Sequence, residues 1–121
     1  MKVLIIGGSE FVGKQLANTL LSENNIEVFI INRGKKYWNE LMRNQPKINH
    51  YYGDRNEYLE FEKLINYISE KHQINKTNKW DLVVDFSAFE RKQVKSVIRS
   101  LKNLCKLYVF ISSDSIYDVC D

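Results

Sequence analysis

The 121-residue sequence predicts an α/β protein, a parallel sheet covered by helices on both faces. Short β-branched apolar runs alternate from end to end with stretches whose apolar residues recur at helical spacing. Most of these runs are continuously apolar, as in strands that are buried on both sides. The connections are short, as repeated βα units with right-handed crossovers require. The length suits a single domain over residues 1–121 and allows a core that buries about two-thirds of the unfolded surface.

Each element follows from its residues. Residues 3–6 (VLII) form the first strand, closed by Gly7-Gly8. Phe11, Val12, Leu16, Leu20 and Leu21 then lie at near-helical spacing until Asn24-Asn25 breaks the pattern. Residues 26–31 (IEVFII) are the second strand, stopped by Asn32-Arg33-Gly34. Residues 37–43 have room for one or two helical turns before Pro46. Residues 48–52 make the third strand, closed by Gly53-Asp54. Tyr58, Phe61, Leu64, Ile65 and Ile68 define an amphipathic helix, and the polar stretch 71–79 an exposed loop. Residues 82–86 (LVVDF) are the fourth strand. Val94, Val97, Ile98, Leu101 and Leu104 share one face of the next helix. Residues 107–111 (LYVFI) are the fifth strand, followed by Ser112-Ser113-Asp114-Ser115.

Composition excludes several classes. Eighteen Lys and Arg against 15 Asp and Glu leave a net charge of +3, too mild to imply nucleic acid by itself. Cys105 and Cys120 offer neither a disulfide framework nor metal spacing, and His50 and His72 stand apart from paired ligands, so no metal site is expected. No run approaches the ~18 apolar residues of a membrane span. The apolar start is too short for a secretory signal, and the cytoplasm is the expected compartment. Arg91, Lys92, Lys95, Arg99 and Lys102 form a basic helix face, ordinarily a solvated surface, with RNA phosphates as the less favoured alternative.

The most informative segment is Gly7-Gly8-Ser9-Glu10-Phe11-Val12-Gly13, directly after the first strand and opening the first helix. Glycines there let the backbone turn tightly and approach a pyrophosphate, which free N–H groups and the helix dipole attract. Two nucleotide readings compete. Gly8-xxxx-Gly13-Lys14 matches most of a P-loop, and residues 82–85 could serve as its acidic strand. However, Gln15 stands where a hydroxyl should hold magnesium. In the favoured dinucleotide reading, Phe11 and Val12 begin a helix packed on the sheet and Gly13 permits close helix–strand contact.

With these segments in order, the sequence resembles the N-terminal half of an extended or atypical short-chain dehydrogenase/reductase, the group of NAD-dependent epimerase/dehydratases and isoflavone-reductase-like proteins. The resemblance is carried by VLIIGGSEFVG at 3–13, Asn32-Arg33-Gly34, Gly53-Asp54-Arg55, WDLVVD at 80–85 and YVFISSDSIY at 108–117. Glu10 departs from it, standing where most of the family has glycine. The resemblance implies a Rossmann-like, doubly wound, three-layer fold with five parallel strands in the order 3-2-1-4-5.

It also implies a site. Gly7, Gly8, Ser9, Phe11, Val12 and Gly13 would cradle the pyrophosphate. An NAD site wants an acid at the end of strand two for the ribose hydroxyls. Asn32 and Arg33, with Lys35 and Lys36 behind them, suit a 2′-phosphate instead, so NADP is favoured over NAD. By resemblance, Asp54 would touch the adenine amino group, and Ser87 and Ala88 would lie along the cofactor. Ser113 would be the catalytic hydroxyl that hydrogen-bonds a substrate carbonyl. The group's Tyr-xxx-Lys acid/base motif, which lies some tens of residues past that serine, has no counterpart here: Asp121 stands four residues after Tyr117, and Tyr37 and Tyr67 lie on early helical stretches. The expectation is therefore a truncated, NADP(H)-binding part of an oxidoreductase, not catalytic alone. A non-catalytic nucleotide sensor or RNA-binding protein on the same fold is the alternative. With no sixth strand read after it, the fifth strand should present an open edge and a route to a homodimer.

Overall fold

Val3, Leu4, Ile5 and Ile6 are each at most 1% exposed, because their strand lies inside the sheet and is covered on both faces. In the computed structural model, which describes residues 1–7, 16, 18–20, 22–23, 25–32, 48–54, 57–86, 91–111 and 116–118, the strands are β1 (Lys2–Ile6), β2 (Glu27–Asn32), β3 (Ile48–Tyr52), β4 (Leu82–Asp85), β5 (Tyr108–Ile111) and β6 (Ile116–Asp118). The helices are α1 (Tyr58–Lys71) and α2 (Arg91–Leu101); residues 16 and 18–20 are also helical. The sheet order is β3-β2-β1-β4-β5-β6.

The five strands β1–β5 are parallel and run in the expected order 3-2-1-4-5. β1 pairs with β2 from Lys2↔Glu27 to Ile6↔Ile31, and with β4 from Val3↔Leu82 to Ile6↔Asp85. The period-two alternation of side chains sends β1 residues to two separate cores. Leu4 and Ile6 join Phe29, Ile31, Val83 and Tyr108 beneath Phe61, Ile65 and Ile68 of α1 and Val97 and Leu101 of α2. Val3 and Ile5 join Val28 and Ile30 on the opposite face, with Leu16, Leu20 and Phe86 packed against them. Full burial of each such aliphatic side chain is worth about 1.5–3 kcal/mol.

The expectation of an open edge on the fifth strand is corrected. β6 pairs antiparallel with β5 through Ile111↔Ile116, Phe110↔Tyr117 and Val109↔Asp118. Four residues separate the paired ends, a short hairpin interval, so β5 spends its outer hydrogen-bonding groups on its own chain. The dimer expected from that edge loses its basis. The buried face of α2 carries Val97 and Leu101, with Val94 and Leu104 packed against the same core, as read from spacing, and Ile98 is the exception. Gln93, Ser96, Val97, Ser100 and Leu101 are buried, whereas Ile98 is 40% exposed. The basic residues Lys92, Lys95, Arg99 and Lys102 face outward as expected. Arg99 also binds Glu62 of α1 (Nε–Oε1 2.7 Å). No described helix is long and apolar enough to cross a membrane.

Polar contacts fasten the amino edge of the sheet. Asp81 Oδ2 accepts from the Lys2 backbone N–H (2.8 Å) and its Oδ1 from Lys106 Nζ (2.9 Å). The Lys2 hydrogen bond, followed by Lys106, holds the Asp81 carboxyl below its ordinary pKa. Trp80 is fully buried, edge-on to Phe29 (4.9 Å between centroids), and its Nε1 donates to Ser69 Oγ at 3.4 Å. Phe29 also meets the His72 ring edge-on at 4.5 Å, while His72 Nε2 hydrogen-bonds Tyr51 Oη at 2.8 Å. Burial, followed by the Lys71 and Lys2 charges, lowers the His72 pKa, and burial lowers that of His50.

Two predictions follow from this packing. Gly53 leaves β3 so close to the core that an added Cβ would lie 2.6 Å from Leu64 Cδ2, 3.3 Å from Ile31 Cγ2 and 3.4 Å from Phe61 Cδ1. Gly53→Ala should therefore cost about 1–3 kcal/mol by overpacking, read from urea unfolding. An unchanged midpoint would show that the Leu64 tip yields freely. The second prediction concerns acid. With folded pKa values below the unfolded 6.5, the two histidines contribute stability that is complete above that value and is lost as pH falls through their folded values. The urea midpoint should drop between about pH 7.5 and about pH 5, and His72→Gln should shrink the drop. A flat profile in the parent would contradict this.

Candidate functional site

Because β1–β5 are parallel and nearly in register, their carboxyl ends form one edge. In spatial order it runs from Gly53 and Asp54 after β3, to Asn32 at the end of β2, Gly7 after β1, Asp85 and Phe86 at β4, and Ile111 at the end of β5. The chain leaves β1 toward β2 and β3, then returns to place β4 on the other flank of β1. The boundary between β1 and β4 is thus a topological switch point, where open α/β sheets form a crevice outside their strand ends.

Gly7 sits at that point with φ 89°, in the left-handed region that a side chain resists. Its N–H donates to the Ile31 carbonyl (2.8 Å), extending the β1–β2 ladder by one bond before the chain turns away. Across the switch point, the Phe86 N–H donates to the Ile6 carbonyl (2.8 Å). Both flanks are therefore pinned up to the last residue of β1, and the turn falls on the glycine that can adopt it.

Of the residues expected to form the site, Gly7, Asn32 and Asp54 are described, and all three lie on this edge. Asn32 is the last residue of β2, paired with Tyr52. Asp54 is exposed and follows β3; its carbonyl accepts from the Glu57 N–H (3.1 Å), and Glu57 is the N-cap residue of α1. A depression of about 490 Å³ adjoins it, lined by residues that include Tyr52, Gly53, Glu57, Glu60 and Lys63. Gly8, Ser9, Phe11, Val12, Gly13, Arg33, Ser87, Ala88 and Ser113 lie outside the described residues.

A residue that the sequence raised only as a stand-in for a magnesium-holding acid is conspicuous here. Asp85 is 0% exposed, the last residue of β4, level with Ile6 on one side and Phe110 on the other. Tyr108, itself 2% exposed, donates its hydroxyl to Asp85 Oδ2 at 2.5 Å. An enclosed carboxylate held by a tyrosine is not the accessible acid that the P-loop reading needs. Its only signal in the sequence was one aspartate closing an otherwise apolar strand. Among the described residues, no group of three or more His, Cys, Asp or Glu could hold a metal ion.

No protein-family model and no curated protein matches the chain. Its fold is shared with solved short-chain dehydrogenase/reductase structures. One from Saccharomyces cerevisiae aligns with a TM-score of 0.72 at 18% identity, covering 93% of this chain and 53% of that one. The yeast methylglyoxal/isovaleraldehyde reductase in complex with NADPH gives 0.69 at 16% identity, covering 91% and 37%. A Bordetella bronchiseptica enzyme in complex with NAD gives 0.68 at 16% identity, covering 91% and 36%. This chain thus spans about half or less of the length of each of these structures.

The local geometry gives a direct test of the Gly7 turn. Gly7→Ala should destabilise by about 1–2 kcal/mol, because a Cβ is forced into the left-handed region. Gly7→Val should cost more, since branching at Cβ narrows the allowed backbone further. Equal urea midpoints for parent and both variants would show that the turn relaxes.

Proposed function

We propose that this chain binds a nicotinamide dinucleotide, NADP(H) ahead of NAD(H), as the N-terminal part of a cytoplasmic oxidoreductase of the epimerase/dehydratase or isoflavone-reductase-like kind. The observation that carries this reading is Gly7, turned into the left-handed region where the central strand meets the switch point and leading straight into the glycine-rich segment. The described residues fit the group. A glycine stands where the pyrophosphate must approach the backbone, and an exposed acid, Asp54, stands two strands away on the adenosine side. Solved neighbours of this fold hold NADPH or NAD.

In this reading Gly7, Gly8, Ser9, Phe11, Val12 and Gly13 cradle the pyrophosphate. Asn32 and Arg33 receive the 2′-phosphate, Asp54 the adenine, and Ser87 and Ala88 the path toward nicotinamide. The bound cofactor would supply hydride chemistry, while Ser113 would hydrogen-bond a substrate carbonyl. The one Tyr-xxx-Lys in residues 1–121, Tyr67 to Lys71, lies in the last turns of α1, whose end meets Lys2 at the amino edge of the sheet, so we assign these residues binding and not turnover. A charge-assisted contact between Arg33 and the 2′-phosphate should favour NADPH over NADH by about tenfold or more. Calorimetric titration should show that preference, and Arg33→Ala should erase it. Equal affinities in the parent would remove the NADP assignment, and absence of binding to either would remove the whole reading.

A second reading, RNA binding without catalysis, draws on the outward Lys92, Lys95 and Lys102 of α2, none of which is ion-paired among the described residues. The same samples separate the two. A salt-dependent RNA affinity indifferent to NADPH would favour the second.

A further inference from the structure

We propose that two copies of this chain associate through the outer faces of α1 and α2, in a two-fold arrangement that lays the basic α2 of each copy against the acidic α1 of its partner. This does not rest on the dinucleotide reading, because the two helices lie over one face of the sheet and not across its carboxyl edge.

Charge is segregated between the two helices. α2 (RKQVKSVIRSL) holds no acid. Its exposed Lys92, Lys95 and Arg99, with Lys102 just past its end, recur at intervals of three, four and three residues, which makes one outward stripe. α1 with its N-cap Glu57 holds four acids, Glu57, Glu60, Glu62 and Glu70, against Lys63 and Lys71. Glu60, Lys63, Tyr67 and Glu70 are exposed and repeat the same three, four, three spacing. Lys63 is engaged by Glu60 (3.4 Å). The Tyr67 ring already draws Lys71 Nζ to 5.9 Å from its centroid, as an aromatic face attracts cations. Within one chain Arg99 spends its charge on Glu62, whereas Lys92, Lys95, Lys102, Glu57 and Glu70 have no ion pair among the described residues. Exposed apolar groups mark the same face. Of the six large hydrophobic residues described as exposed, Leu59, Tyr67 and Ile98 lie on these two helices.

The fold sets the geometry. α1 and α2 sit side by side on one core and are joined by the Arg99–Glu62 pair. A two-fold axis parallel to the helices and running between them exchanges α1 with α2, so base meets acid twice. An axis across the helices would set α2 on α2, and like charges oppose that. With 14 and 11 residues, the helices are about 21 Å and about 16 Å long, and side by side they offer a face about 20 Å wide. That is small beside the about 800 Å² per partner of a standard interface, so the dimer should be reversible and sensitive to salt.

The test is sedimentation of the whole chain from about 5 μM to about 500 μM. The parent should pass from monomer to dimer in this range, and raising salt from about 50 mM to about 500 mM should weaken the dimer. Lys95→Glu with Lys102→Glu should weaken it about tenfold or more, and Glu60→Lys with Glu70→Lys should do the same. An equimolar mixture of the two double variants should recover a dimer, because the reversed α2 then meets the reversed α1 and the other pair is unchanged. Recovery by mixing also shows that both variants are folded. Loss in both variants without recovery would overturn the arrangement, as would a dimer indifferent to all four substitutions or assemblies that grow beyond two copies. A parent that stays monomeric at about 500 μM in low salt would overturn the proposal outright. Salt-dependent RNA binding by that monomer would assign the α2 stripe to nucleic acid instead.

Discussion

The double pairing of β1 is the constraint from which the rest of the structure follows. A five-residue strand with hydrogen-bonded neighbours on both edges leaves no backbone group free to face solvent. Its side chains alternate between two cores, and all four apolar ones are enclosed. Because β2 and β4 both run parallel to it, the chain must cross over on each side. The two crossovers diverge at the carboxyl end of β1. The crevice is therefore a consequence of how the central strand is buried.

The two ends of the sheet are built differently. At the amino edge, Asp81 joins Lys2 and Lys106, and Trp80 interlocks with Phe29 and Ser69. The Trp80 backbone also exchanges hydrogen bonds with Leu104 and Lys106. Those contacts tie residues distant in sequence and serve the fold. At the carboxyl edge the described residues include a glycine in the left-handed region, an exposed aspartate and a buried one.

Among the described residues, Asp85, Gln93, Ser96 and Ser100 are polar side chains that the fold buries. Ser100 Oγ donates to the Ser96 carbonyl at 3.0 Å, which settles one hydroxyl within the helix. A buried carboxylate costs desolvation energy that an apolar residue of similar size would avoid.

Much of this architecture was legible in the sequence. The five parallel strands fall within a residue of the segments read at 3–6, 26–31, 48–52, 82–86 and 107–111, and all but the edge strand β3 are nearly continuously apolar, as in strands covered on both faces. Gly7 was legible too, since its place after a strand already demanded freedom at φ. Other features were decided by tertiary structure alone. The three-residue strand β6 carries too few residues to show a period and exists through its pairing with β5. Ile98 shares the apolar spacing of α2 yet is 40% exposed, while Val94, Val97, Leu101 and Leu104 pack as that spacing indicates. Gly53 looked like an ordinary turn until Leu64, Ile31 and Phe61 closed around it. The Asp85–Tyr108 bond joins residues 23 apart in sequence, and only the lateral pairing of β4 with β5 brings them within reach. Local residue patterns determined which segments become strands and helices; contacts across the sheet decided which polar groups the core would have to hold.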